Sequence, residues 1–299
     1  MRIAPANSLR YRLLSSLLPT LAVIVCVASC SQIGVGTFKL LYEHADWLLR
    51  RAIGHYIDLD KSQAQMLRAQ IETLHRWHRT QELPLYADAF DSAAQRVARG
   101  LTSEDVVWMF RFVDARWQAT AARIASDFAP VVMTLRLDQR IHIAEVFAQD
   151  NVRYARKDID AGRQKTVEAR TAWLTRQMEY WTGELSAEQR SRIRVVNAAT
   201  SEFPEERLDE RRRRQSAFLR LVGSKEDESV IQAALGSLLR MPRAGTDESY
   251  AGSVRRYEQE LSRMILDLDR SLSARQRSTA VDRLHGFARE LRTLAAEHP

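Results

Sequence analysis

Cysteine is nearly absent from this chain: in 299 residues there are two, Cys26 and Cys30. That excludes a disulfide framework, so a buried apolar core must supply the stability. Glycine and proline are sparse, at 11 and 7 residues, which leaves few breaks between periodic segments. No alternating run rich in valine and isoleucine reads as a half-buried strand. Past Val27 no apolar stretch reaches the ~20 residues that a membrane-spanning helix needs. The chain also lacks a Gly-x-Ser-x-Gly elbow, a His-Glu-x-x-His pair, a phosphate loop and a dinucleotide glycine pattern. Its 45 basic residues are interleaved with 38 acidic ones, which argues against a nucleic-acid partner, since such partners select pooled positive charge.

What is present starts at the first residues. Arg2, Arg10 and Arg12 precede Leu13 to Val27, a run without charge, and the sequence then reads Val27-Ala28-Ser29-Cys30. A basic start, an apolar middle and small residues before a cut describe a bacterial export signal. A cysteine at the cut resembles a lipobox, where the thiol is acylated, by palmitate for example, and the peptide bond before it is cleaved. The expected division is 1–29 as lipoprotein signal peptide, 30–36 as tether and 37–299 as helical domain, with a possible sub-boundary near 201–247. The leader carries three arginines and no acid, so its loss lowers the net charge from +7 to +4. Membrane contact then rests on acyl chains at Cys30, each buried CH₂ contributing about 0.8 kcal/mol. Ser31 follows Cys30, and no aspartate there signals retention in the inner membrane. The expected location in a Gram-negative envelope is the periplasmic face of the outer membrane.

The remainder reads as all-α: a multi-helix bundle or helical-hairpin array of about ten helices. Periodicity predicts helices near 37–57, 61–80, 84–99, 103–128, 131–161, 164–182, 187–201, 205–222, 225–240, 247–271 and 274–297. Gly100, Gly162, Gly183, Gly223 and Gly245 stand where helices should end, and Pro84, Pro130 and Pro204 suit first turns. One pattern recurs at four of the boundaries. Leu59-Asp60-x-x-Gln63, Leu101-Thr102-x-x-Asp105, Leu185-Ser186-x-x-Gln189 and Leu272-Ser273-x-x-Gln276 each place a cap three residues before an amide or acid. That is a capping box, each cap contributing ~1 kcal/mol. The spacings hint at helical-hairpin repeats. Leu185 to Gln189 is also similar to the Leu-Thr-x-x-Gln motif of small periplasmic helical chaperones, which implies a chaperone-like protein as an alternative.

The N-terminal third holds the most distinctive runs: Tyr42-Glu43-His44-Ala45-Asp46-Trp47-Leu48-Leu49, Tyr56-Ile57-Asp58-Leu59-Asp60, Trp77-His78-Arg79 and Glu82-Leu83-Pro84-Leu85-Tyr86-Ala87. Behind a lipobox, these runs resemble an uncharacterised family of proteobacterial lipoproteins known as a domain of unknown function. The resemblance implies an all-helical envelope lipoprotein and supplies no catalytic residue. From the residues themselves, Asp46, Tyr56, Asp58, Trp77, His78 and Tyr86 are the candidate binding residues, expected to converge because short loops keep successive helices adjacent. A wide apolar stripe around Asp46 predicts a buried helix, with Arg50 one turn on as the carboxylate's partner.

Two further patterns have bland readings that outweigh the sharp ones. Glu72-x-x-His75 with His78, Asp282-x-x-His285 and His142-x-x-Glu145 put ligand types on one helix face, but the additional glutamates of a bundle metal site are not evident. No metal and no cofactor is expected. Arg211 to Arg214 follow Glu206, Asp209 and Glu210 at helical spacing, which predicts a salt-bridged solvated face, with anionic headgroups or another polyanion as the alternative. Taken together, the sequence points to a membrane-anchored, non-enzymatic binding or structural protein of the cell envelope, with an unknown envelope protein or polymer as partner. A helical glycan- or lipid-acting hydrolase is the enzymatic alternative, since paired carboxylates leave no local signature.

Overall fold

The computed structural model describes residues 35–199, 203–240 and 248–297. Cys30, Gly245 and the leader lie outside the described residues. Among those described there is no strand. The helices are α1 (Val35–Glu43), α2 (Ala45–Tyr56), α3 (Lys61–Trp77), α4 (Leu83–Arg99), α5 (Ser103–Met133), α6 (Leu137–Tyr154), α7 (Arg163–Thr182), α8 (Ala187–Ala199), α9 (Pro204–Leu221), α10 (Glu228–Leu238), α11 (Glu248–Arg270) and α12 (Ala274–Ala296). Two π-turns, His78–Glu82 and Ala155–Ile159, extend α3 and α6. None of these helices is long and apolar enough to cross a membrane.

The core is divided among several small clusters, each formed where two to four helices meet. The largest joins the two ends of the described chain. Phe38 and Tyr42 of α1, Leu83 and Ala87 of α4, and Phe287, Ala288, Leu291 and Leu294 of α12 bury one another. Alanines at 87, 94 and 288 are fully covered, so α4 and α12 approach closely along their length. A second cluster sets Tyr56 against Ile143, Val146 and Phe147 of α6, with Val222 beyond α9. Others pack α5 on α10 through Ala125, Ala129 and Ile231, and α7 and α8 on α11 through Leu174, Ile193 and Leu268. The result is an all-α multi-helix fold whose core is shared among small clusters, several of them joining helices far apart in the chain.

Several boundaries differ from those expected. The helix expected at 37–57 is broken at His44, between α1 and α2. Pro130 does not open a helix: α5 runs through it to Met133. A proline inside a helix removes one backbone bond and costs about 3 kcal/mol. The burial of Ala129, Val131 and Val132 around it opposes that cost. The gap expected before Pro84 is instead a π-turn, in which Leu83 N–H donates to the His78 carbonyl. Glycine fits where the chain must turn left-handed: Gly100, with φ +88°, ends α4.

The recurring caps form as capping boxes, and the fold clasps the three that carry glutamine, Gln63 with a further turn at Gln139. Gln63 Nε2 donates to Gln139 Oε1 at 3.1 Å, and Gln139 Nε2 returns a bond to Gln63 Oε1 at 2.6 Å. Gln63 Nε2 also reaches the Thr134 carbonyl at 2.7 Å, and Gln139 Nε2 the Asp58 carbonyl at 2.6 Å. Gln189 and Gln276 repeat the arrangement, with exchanged amide bonds of 3.1 and 2.9 Å. Their remaining donors reach Ser271 and Glu184 carbonyls at 2.9 and 2.8 Å. In all four cases the amide bonds the residue just before the partner turn's leucine. Each glutamine thus caps its own helix and clasps another helix's start.

Candidate binding site at the π-turn

The π-turn follows from its neighbours. Pro84 cannot donate a backbone bond, and the wider i→i+5 turn before it carries the chain from α3 into α4. Such turns rotate side chains out of the helical register and are frequent at functional sites. Here the rotation brings His78, Arg79 and Glu82 to one side, where α1 and α5 cover them. Arg79 and Glu82 are buried.

His78 is held between two phenols. Tyr42 Oη lies 3.1 Å from His78 Nδ1 and Tyr86 Oη 3.4 Å from Nε2. A neutral imidazole donates to one phenol and accepts from the other. Burial and then the neighbouring His75 push its pKa down to about 4. The His75 ring packs tilted against the Tyr42 ring, with centroids 4.7 Å apart. It is likewise pushed down, by burial and then by the charge of Arg79. The Arg79 guanidinium lies 5.5 Å from the Tyr42 ring centroid.

Glu82 completes the set. Burial pushes its carboxyl up, against the opposing pull of Arg116 and Tyr86. Arg116 Nη1 donates to Glu82 Oε1 at 3.3 Å, while Oε2 is enclosed with no hydrogen-bond partner among the described residues. A neutral imidazole flanked by two phenols, beside a carboxyl of raised pKa, forms a polar network enclosed by the surrounding helices. Their partners come from α1, α3, α4 and α5, so the network also ties the N-terminal helices together.

Of the six candidate residues, the structure brings His78 and Tyr86 into this network. Trp77 lies beside it, its ring 6.4 Å from that of His78 and 5.9 Å from the Arg123 guanidinium. Tyr56 belongs elsewhere: its hydroxyl donates to Asp150 Oδ2 at 2.7 Å, inside a second polar cluster with Arg153 and Arg211. Burial raises the Tyr56 pKa further above the usual phenol range. Asp58 contributes its carbonyl to the Gln139 clasp. Asp46 pairs with Arg50 at 2.9 Å, as its spacing predicts, but on a half-exposed helix. The expectation that this helix is buried fails. On α2 the face with Leu49, Ile53 and Tyr56 is packed, while Trp47 and Leu48, with Leu40 of α1, point outward.

Tyr42, Arg79 and Glu82 lie in the distinctive runs but were not among the candidate binding residues, and Arg116 lay outside those runs. Pro84 five residues after Arg79 was the available signal, because it prevents a regular helical join. The arginine run is only partly a solvated face. Arg212 pairs with Asp209 at 3.2 Å, and Arg213 and Arg214 share Glu210 at 3.1 and 2.8 Å. Glu210 and Arg211 are buried, Arg211 turning inward toward Asp150, because α9 packs on both α6 and α10.

The metal-type pairs separate. Glu72 bonds Arg68 at 2.7 Å, and His285 bonds Asp91 at 2.7 Å. Among the described residues no three histidine, cysteine, aspartate or glutamate side chains group to hold a metal. A groove of about 330 Å³ lies between α8 and α11, rimmed by Glu188, Arg192, Val195 and Asp267.

No curated protein matches this chain, and no solved structure does. A family model matches residues 55–251, which takes in the π-turn, the Gln63–Gln139 clasp and the Asp150 cluster. The chain therefore belongs to the family of unknown function DUF6279.

Proposed function

We propose that this protein is an exported lipoprotein, acylated on Cys30 and held at the periplasmic face of the outer membrane, where its helical body binds an envelope protein or polymer without catalysing a reaction. The observation that carries this reading is Val27-Ala28-Ser29-Cys30 directly behind an uncharged run and three arginines. The all-helical body behind it fits a binding role. The π-turn network joins helices, and its imidazole and phenols are engaged with one another.

Mass spectrometry of the protein from its native envelope tests this directly. The expected N-terminal residue is an acylated Cys30, and Cys30→Ala should release the protein from the membrane fraction. A cytosolic location, or a membrane fraction unchanged by Cys30→Ala, overturns the reading.

A further inference from the structure

The packing of α1 and α2 leaves one side uncovered. The inward residues Phe38, Tyr42 and Tyr56 are buried. The outward residues recur at helical spacing across the His44 break, which preserves the backbone bonds from His44 to Leu40 and from Leu48 to His44. Along this side Leu40 is 56 % exposed, Trp47 51 % and Leu48 37 %. A large apolar side chain left in water at three neighbouring positions is a recognition feature rather than ordinary surface.

Its chemistry is that of an interfacial helix. Indole rings favour the headgroup boundary, where one edge is apolar and the other wet. Arg51 sits with its guanidinium 5.6 Å from the Trp47 ring, placed to lie along apolar surface and reach phosphate. Of the acids on these two helices, Asp46 pairs with Arg50 at 2.9 Å, and Glu43 lies 3.9 Å from Lys39, whose closer partner is Glu297 at 2.5 Å. Position supports the same occupant. Cys30 precedes Val35, the first described residue, by five positions, and six extended residues reach at most ~20 Å. An acyl chain there tethers the start of α1, and α2 behind it, within reach of the bilayer.

We infer that the outward side of α1 and α2, through Leu40, Trp47, Leu48 and Arg51, docks on a phospholipid surface and fixes the orientation of the helical body. This rests on the anchored reading of Cys30 for its setting, but its test does not. A chain beginning at Cys30 has no other cysteine, so it can be coupled through Cys30 to a maleimide phospholipid in phosphatidylethanolamine–phosphatidylglycerol vesicles. The vesicles carry lipids brominated near the headgroup.

Tryptophan fluorescence of the coupled protein should be quenched by the brominated lipid, and Trp47→Phe should remove that quenching. Trp47→Glu should expose residues 40–55 to hydrogen exchange on vesicles, whereas Ile141→Ser, an equally exposed apolar site on α6, should leave exchange there unchanged. Equal quenching of wild type and Trp47→Phe overturns the docking, as does an equal effect of Ile141→Ser. Protection of residues 40–55 that needs an envelope protein extract rather than lipid alone also overturns it. Failure of acylation at Cys30 in the cell bears on the anchored reading and leaves these vesicle outcomes untouched.

Discussion

The two glutamine clasps share one bonding scheme but sit in different surroundings. At the first, Gln63 and Gln139 are both buried, enclosed by α2, α3 and α6. At the second, Gln189 is buried while Gln276 is half-exposed, and Ser271, Asp269 and Arg277 crowd the same turn. A third turn shows what the amide contributes. Thr102 and Asp105 form a capping box too, but a carboxylate cannot donate. Asp105 instead draws in Arg96 and Arg99, at 3.0 and 2.7 Å. A glutamine three residues after a cap can both close its own helix and bond a partner turn. An aspartate there recruits cations.

The largest expected effect separates the two clasps. Gln63→Leu removes the partner of the Asp60 N–H and of the Thr134 carbonyl and strands half of the buried Gln139 amide. Buried polar groups without partners cost ~1–3 kcal/mol each, so the loss should approach ~3 kcal/mol in urea titrations. Gln276→Leu should cost about 1–2 kcal/mol, because water reaches its partners. Equal losses would mean that burial does not distinguish the clasps. The paired variant Gln63→Leu with Gln139→Leu should cost less than the two single changes added together, since neighbours in one network are not additive.

Acid offers a second way to load the N-terminal half without touching an amide. His78 is neutral in the fold, with a pKa of about 4, against about 6.5 unfolded. A histidine depressed in this way binds its proton more readily when unfolded, so stability falls as pH drops from about 6.5 toward 4. The full loss is on the order of 2–3 kcal/mol. The π-turn and the ends of α3 and α4 should gain hydrogen exchange over that window, ahead of the Gln189–Gln276 turn. His78→Gln should make the dependence shallower, leaving the share that comes from His75. A profile unchanged by His78→Gln places the acid sensitivity elsewhere.

These contrasts also mark how much was legible in the sequence. Helical content and most boundaries follow from periodicity and scarce breakers, and the capping boxes follow from local spacing. The pairing of the caps does not, because it joins residues 76 and 87 apart in the chain. The fifth turn, Leu135 to Gln139, escaped notice because Arg136 stands where an acceptor cap is expected. Its backbone N–H still bonds Gln139 Oε1 at 2.9 Å, so the glutamine alone identifies the turn. His78 and Tyr86 could be chosen as a pair since one short segment carries both. Tyr42 and Arg116 come from helices whose facing sides depend on tertiary packing. The outward face around Trp47 was misread for the same reason: a wide apolar stripe does not say whether a neighbouring helix covers it.

The smallest expected effect decides whether a clasp is more than two caps side by side. Ser273 accepts from Gln276 N–H at 3.2 Å on an exposed turn, and Ser186 accepts from Gln189 N–H at 3.1 Å. Ser273→Ala removes one cap and leaves both amides in place, which should cost ~1 kcal/mol and lower the melting temperature by a few degrees. Asp60→Ala should cost somewhat more than the serine change, because Asp60 also accepts from Arg136 at 2.8 Å. If Ser273→Ala costs as much as Gln276→Leu, the glutamine acts only within its own helix. If the glutamine change costs clearly more, the excess measures the bond between helices, and the paired turns are the elements that hold the helices in register.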